Sequence, residues 1–500
     1  MVAPGLVGPR YRCGVPQVLR RVAGRAGRIE RPLLVLLALA VSQTLAWSIL
    51  LPPWQGADEI SHFAYVQRMV ETKSIPWFPS GNPGDTRASY STEADVAARW
   101  GGSLQVLLNP SARPPGSPVA ERLWREANAP LTKKDRANGG YSSAMAYPPL
   151  YYLYDSIPYI ATDSLSIFDR AFAMRIFNLP LVIAIVWLTW LIAGELLGKR
   201  RWLQTLATAA VALNPQLMQL AGVVNPDILL SAEWIAFFYL AIMAIRHGPT
   251  RGRLIGMALL CVASGFTHGR GLPIVVPAAL VAASLIVRYR RPSRRVLIAG
   301  GIGLGALTLV GLYGALVYAT YGNLSSLRLR EFASYLWQFY LPKLSFMNQA
   351  IGPVWHARQV FIDRFYGTYG GLDVVFTPGP LNLLNDLSMA AIVLAFVGLA
   401  TRWRSVRRWW DILAMFAVAG ASYLFFMHLA AFRSLVQGTG DPVLTGRYLL
   451  PFMPVYGMAI ALAVGWMPRR VAPVVGGAVV GGLCLLSIGA FGFTLARYYA

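Results

Sequence analysis

The sequence predicts an all-α polytopic membrane protein of about 11 transmembrane helices with two large extracytoplasmic loops. Three observations predict it. The 500-residue chain is 56% hydrophobic and only 13% charged, against roughly a quarter charged in soluble chains. Apolar runs of membrane-crossing length, about 20 residues, recur along it. Basic residues cluster between those runs, and with the N-terminus in the cytoplasm every strongly basic short connection falls on one side.

The elements follow in order. The first 31 residues hold seven Arg and form a basic cytoplasmic N-terminus. The apolar run 32–51 follows without a convincing small-residue cleavage site, so it is a retained first span rather than a signal peptide. Residues 52–172 form the first outer loop with its juxtamembrane helices. Its stretch 52–146 is rich in Gly, Pro and Ser and sets nine acidic against ten basic side chains, as suits a translocated segment. Spans at 203–223, 228–245, 254–266 and 272–287 join 173–197 and 296–318 in a bundle over 173–318. A second outer loop, 319–383, precedes C-terminal spans at 384–400, 412–429, 449–466 and 471–495 in the region 384–500. The basic connections at 199–201, 246–253, 288–295, 402–408 and 469–470 then all lie inside. This agreement requires 147–160, YPPLYYLYDSIPYI, not to cross: three prolines and an Asp make it a poor span but a reasonable outer juxtamembrane helix. A twelve-span arrangement would turn the later basic loops outward.

Composition excludes several function classes. The net charge of +23 resides in basic runs that alternate with apolar ones, unlike the basic face of a soluble nucleic-acid binder. Cys13, Cys261 and Cys484 leave no exported loop able to hold a disulfide, and structural zinc is equally unsupported. Walker A, dinucleotide-binding, G-x-S-x-G and HExxH patterns are absent from the sequence, so nucleotide-driven pumping and serine or zinc hydrolysis lack support.

Five stretches carry chemistry, each with a plain structural alternative. PPWQGADEISHF, just past the first span, puts Asp58, Glu59 and His62 at the outer membrane surface. A helix starting near Asp58 puts Asp58 and His62 on one face and packs Ile60, Phe63 and Val70 on the membrane; the alternative is that the acids complement the helix dipole. Asn225-Pro226-Asp227 reads as a helix start, with Asn225 as the cap and Asp227 open to another role. Glu233, two turns deeper, is costly enough to need a partner or a wet cavity, and pairing with an outer basic group is the structural expectation. His268 and Arg270 sit at the tip of a short hairpin, where an Arg fork flanked by glycines suits phosphate as well as it suits interfacial snorkelling. Arg447-Tyr448 begins the tenth span from outside, fitting an external anion or an interfacial anchor. The second outer loop interleaves aromatic residues at 337–340 with Lys343, His356, Arg358, Asp363, Arg364, Tyr366 and Asp373, as a sugar site or an interfacial amphipathic helix would.

The order of these elements carries a resemblance. A first span running into PPWQGADEISHFAYV, then YPPLYY, NPD at a span start and GRYLLPFMP near the end resembles a bacterial family of uncharacterised multi-pass membrane proteins. That family looks like a branch of the GT-C glycosyltransferases, the superfamily of protein mannosyltransferases, the lipid A aminoarabinose transferase and actinobacterial arabinosyltransferases. The resemblance implies a GT-C-like fold in a bacterial cell membrane and transfer of a sugar from a polyprenyl-phosphate donor to an extracytoplasmic glycan, lipid or protein, with inversion. It puts the catalytic acid of the first outer loop at Asp58 or Glu59, with a divalent metal, Mg or Mn, left open at that pair. His62, His268, Arg270, Lys343, Arg447 and Tyr448 are then the candidates for substrate and donor phosphate. Tyr147 stands where the superfamily's HPPLYYW-like element has His, so no role of that His transfers. A transporter or flippase of lipid-linked sugars is the alternative, and a non-catalytic envelope scaffold the third reading; against transport, the spans carry few ionisable groups beyond Glu233, Glu195 and His428.

Overall fold

The computed structural model describes residues 30–76, 89–109, 111–114, 117–140, 142–198, 200–289, 329–348, 356–436 and 444–500. Its first helix, α1 (Arg31–Leu50), carries Pro32 in its first turn and gives way at Leu51, whose backbone is extended. The cause is local: Pro52 disfavours the helical region for the residue before it. The outer loop then supplies α2 (Glu59–Thr72), α3 (Thr92–Trp100) and α4 (Leu150–Ala161), with further helices between α3 and α4. Ser91 caps α3 by accepting from the Ala94 amide at 3.1 Å. Helix α4, the segment 147–160 expected not to cross, is only 12 residues long, contains Pro158 and packs against α2 and α5 (Ile167–Phe177).

Helix α5 runs through Asn178 into α6 (Leu179–Leu197). After it come α7 (Arg201–Ala212), α8 (Pro215–Ala221), α9 (Asp227–His247), α10 (Arg251–Thr267), a 3-10 turn at Gly269–Ile274 and α11 (Val275–Arg288). The second outer region contributes α12 (Leu329–Tyr340) and a two-residue antiparallel pair, β1 (Thr368–Tyr369) with β2 (Val374–Val375), in register Thr368 to Val375. The chain closes with α13 (Pro378–Thr401), α14 (Trp410–Val436), a 3-10 segment Gly446–Phe452, α15 (Met453–Gly465) and α16 (Ala472–Tyr499).

Eight of these helical stretches are long and apolar enough to cross a membrane. The expected count of eleven is not confirmed, and three of the expected spans are not among these eight. The span expected at 203–223 is broken at Asn214-Pro215, because Pro215 has no amide hydrogen to continue α7 and Asn214 caps a new helix through the Leu217 amide at 2.9 Å. The span expected at 254–266 is α10, whose 17 residues stand at the lower end of the crossing range. The span expected at 296–318 lies outside the described residues. The span expected at 173–197 begins earlier, at Ile167, since α5 joins it.

Enclosure differs sharply among the helices. The apolar stretch of α9 is 72% buried and that of α13 only 6%, so α9 is enclosed by its neighbours and α13 leaves most of its surface uncovered. Helix α9 packs on α6, α10 and the 3-10 segment Gly446–Phe452, which puts its N-terminal Asp227 beside Arg447. At the end of α16, Arg497 forms an ion pair with Asp373 of the second outer loop at 2.9 Å and donates to the Ala112 carbonyl of the first at 2.7 Å, and Tyr498 donates to Asp373 at 2.9 Å. The two outer loops therefore meet. Within the first, Arg170 is fully enclosed between Glu93 and the Tyr159 hydroxyl, which itself donates to Glu71 at 2.8 Å.

Helices α7 and α15 cross at a glycine: a Cβ on Gly457 would lie 2.2 Å from the Ala207 carbonyl oxygen. Backbone cannot yield as a flexible side chain can. Gly457→Val is expected to cost about 1–3 kcal/mol through overpacking, checked by thermal unfolding of the purified protein in detergent.

Candidate functional site

The site begins at the turn between α1 and α2. Trp54 and Asp58 both adopt left-handed backbone, φ 68 and 57, which an Asp tolerates and a Trp rarely does. A buried ion pair holds this turn. Arg175 of α5 donates Nε to Glu59 Oε1 and Nη2 to Glu59 Oε2, both at 2.6 Å, and its remaining donors reach the carbonyls of Ser48, Leu51 and Pro52. Glu59 also accepts from the amides of Trp54, Gly56 and Val224. Every lone-pair direction of this carboxylate is used and none of its surface is exposed. Glu59, expected as a catalytic or metal-binding alternative to Asp58, is thereby engaged as the brace of the turn.

The residue before it faces the other way. Asp58 has 58% of its side chain exposed and accepts from Arg447 Nη2 at 3.0 Å. Burial alone would raise its pKa, but the Arg447 guanidinium, with His62 and Arg270, outweighs this and holds the carboxyl below its usual range. His62, one turn along α2, receives or donates a hydrogen bond at Nδ1 to the Tyr152 hydroxyl at 2.9 Å. Burial pushes the His62 imidazole down to about 4 against the pull of Asp58 and Asp227, so it is neutral at physiological pH. Phe63, expected on the membrane, packs inward on Trp54 with ring centroids 4.9 Å apart.

Asp227, left open in the sequence, stands at the centre. Its Oδ1 takes Arg270 Nη2 at 2.5 Å and its Oδ2 lies 3.9 Å from Arg447 Nε. Asn225 behaves as a cap, accepting from the Asp227 amide at 2.9 Å, although Pro226 and not Asn225 flanks the helix. The hairpin tip turns His268 and Arg270 in towards Asp227. His268 is buried, accepts at Nδ1 from the Arg270 amide at 3.0 Å and lies 3.1 Å from Arg270 Nη2 through Nε2. Arg270 stacks over the Tyr448 ring at 3.6 Å, and Arg447 lies 5.5 Å from the same ring. Tyr147 sits between the two imidazoles, 4.5 Å from His268 and 5.9 Å from His62.

The structure thus gathers Asp58, His62, His268, Arg270, Arg447 and Tyr448, and adds Tyr147 and Asp227. Lys343 does not join them: it is exposed in the loop after α12 and forms no ion pair among the described residues. Among the described residues Glu233 meets no basic group; Thr267 donates to it at 2.8 Å. His428 and Glu195 are also elsewhere, His428 between the hydroxyls of Tyr335 and Tyr340 and Glu195 against Arg246 and His247. A divalent ion does not fit this donor set, because Asp58, Asp227 and Glu59 each already face a guanidinium and no group of three or more His, Cys, Asp or Glu side chains gathers among the described residues.

Two outcomes follow from these environments. Removing Arg175 would strand the Glu59 charge in the interior, so Arg175→Ala is expected to cost about 3–5 kcal/mol, seen as loss of folded protein on size-exclusion chromatography, with Arg175→Lys intermediate. Because the native His62 pKa, about 4, lies below the ordinary value of about 6.5, the unfolded chain binds more protons between the two. Stability is therefore full above the ordinary value and falls by about 3 kcal/mol as pH drops to the native one; His62→Gln should remove that part of the slope in thermal melts across pH.

Comparison with known proteins adds the family. No curated protein matches the chain. Among solved structures, ArnT from Cupriavidus metallidurans bound to undecaprenyl phosphate is 14% identical over 91% of this chain and 64% of that one, with a TM-score of 0.42. The apo oligosaccharyltransferase of Archaeoglobus fulgidus is 13% identical over 93% of this chain and 56% of that one, with a TM-score of 0.44. AglB from the same organism, in complex with an inhibitory peptide and a dolichol-phosphate, is 13% identical over 94% and 56%, with a TM-score of 0.42. The chain spans less than two thirds of the length of each. The family described as predicted membrane protein DUF2142 matches residues 43–456. With eight apolar helices of membrane-crossing length among the described residues and a match over most of its length, the chain is a membrane protein that belongs to the DUF2142 family.

Proposed function

We propose that this protein is a membrane glycosyltransferase that moves a sugar from a polyprenyl-phosphate donor to an extracytoplasmic acceptor of the bacterial cell envelope, a glycan, lipid or protein, with inversion at C1. One observation carries the proposal: an exposed carboxylate, Asp58, shares a site with two largely enclosed guanidiniums, Arg447 and Arg270. Sugar transfer from a lipid phosphate needs both parts. The acceptor hydroxyl forms a bond to C1 as the bond from C1 to the phosphate oxygen breaks, its proton passes to Asp58, and the departing phosphate keeps the electron pair. Arg447 and Arg270 supply fixed positive charge where that negative charge collects. Tyr147 and Tyr448 line the cluster beside these charges, Tyr147 against the two imidazoles and Tyr448 against the two guanidiniums.

The donor needs no cytosolic nucleotide site, since the phosphosugar bond already stores the energy. A transporter of lipid-linked sugars would require the two arginines but not a free carboxylate at a reacting centre. Asp58→Asn separates the two readings.

In proteoliposomes supplied with polyprenyl-phosphate sugars and an envelope acceptor extract, Asp58→Asn is expected to lower transfer roughly 10²- to 10⁴-fold at unchanged protein level. Full transfer by that variant would remove Asp58 from the reaction. Arg270→Ala and Arg447→Ala should instead weaken donor binding, measured by calorimetry with the lipid phosphate; unchanged affinity in both would contradict the phosphate assignment.

A further inference from the structure

The arginine cluster is incompletely bonded in a way that points to how it works. Arg447 Nε, Asp227 Oδ2 and Arg270 Nη1 are all buried, and none has a hydrogen-bond partner among the described residues. The first two lie 3.9 Å apart, too far to bond. Buried polar groups are normally satisfied, so two guanidiniums with unused donors side by side form a cradle for an anion with several acceptor oxygens. Phosphate is such an anion, and a guanidinium fork binds it bidentately.

Yet Arg447 is not free. Its Nη2 is engaged by Asp58. The two carboxylates of the cluster differ in what they can give up: the Asp227 side chain is 4% exposed and locked to Arg270, whereas that of Asp58 is 58% exposed and can be rehydrated at little cost. The Tyr448 ring lies against both guanidiniums and gives Arg447 a surface on which to pivot.

We propose that Arg447 is a shuttle: without an anion it holds Asp58, and when a phosphate group arrives it passes to the phosphate and releases Asp58 towards the acceptor. The proposal rests on the reading of this site as one for a lipid-linked phosphate. No covalent bond changes in the exchange. Phosphate replaces Asp58 as the counter-charge of Arg447, so the cluster stays compensated throughout. Asp227 is the positioning residue that keeps Arg270 fixed while Arg447 moves. The consequence is an order of events in which donor occupancy frees the carboxylate that the acceptor meets.

The test is a double-mutant cycle on binding of farnesyl phosphate, a short polyprenyl monophosphate, to the purified full-length protein, with no turnover involved. If Asp58 competes with phosphate for Arg447, Asp58→Asn binds the probe roughly fivefold or more tightly than the wild type. That gain disappears in the Arg447→Gln background, where affinity is low with or without Asp58. Asp58→Asn binding equally or more weakly than wild type overturns the shuttle, and so does a gain that persists in Arg447→Gln, which would reflect only a nearby negative charge. Should Arg447→Gln fail to fold, Arg447→Lys replaces it: the gain shrinks by half or more if the fork makes the exchange, and an undiminished gain overturns it. Absence of probe binding in wild type and Asp58→Asn alike removes the phosphate reading itself, whereas binding without coupling removes the shuttle alone.

Discussion

The bidentate pair between Glu59 and Arg175 is the constraint on which the site depends. Arg175 reaches from α5 into the turn after α1, grips three of its carbonyls and locks the first residue of α2. A buried pair of this kind contributes little net stability against a hydrophobic substitute, but its rupture is costly because a lone charge would remain inside. It therefore acts as a specification: with Glu59 committed inward, the left-handed backbone of Asp58 turns the neighbouring carboxylate outward. Two adjacent acids take opposite roles because one arginine chooses between them.

Around that turn the bundle brings together groups far apart in the chain. Asp58 and Arg447 are 389 residues apart and Asp227 and Arg270 are 43 apart, yet all four share one patch at the N-terminus of the enclosed helix α9. Helix ends at a membrane boundary are suited to this, since they supply unsatisfied backbone donors and tolerate charge. Aromatic rings fill the space between the charges and exclude water from one side of each guanidinium, which strengthens its attraction for an anion. Asp58 alone keeps broad contact with solvent.

Much of this was legible in the sequence. Alternation of apolar runs with arginine-rich connections gave most of the helices, and the acid pair, the NPD start, the His268-Arg270 tip and Arg447-Tyr448 were placed on one face by topology alone. The division of labour between Asp58 and Glu59 was not legible, because it depends on Arg175, 116 residues away. A signal existed: an arginine just inside a long apolar run is expensive and calls for a buried acid. Pro215 likewise marked the break within 203–223. The pairing of Arg270 with Asp227 needed the hairpin tip to fold back onto α9, and short-range periodicity carries no information on that. Nor did it reveal Tyr147 between two histidines, since those rings come from three separate segments.

The central claim is that the turn held by Glu59 and Arg175 and the tip of the short hairpin lie on the same face of the membrane. Labelling of single cysteines at positions 58 and 269, both exposed in the structure, with a membrane-impermeant thiol reagent in a background lacking Cys13, Cys261 and Cys484 tests it most directly. Both positions should react from the same side in sealed vesicles of one orientation. Reaction of the two from opposite sides would contradict the account.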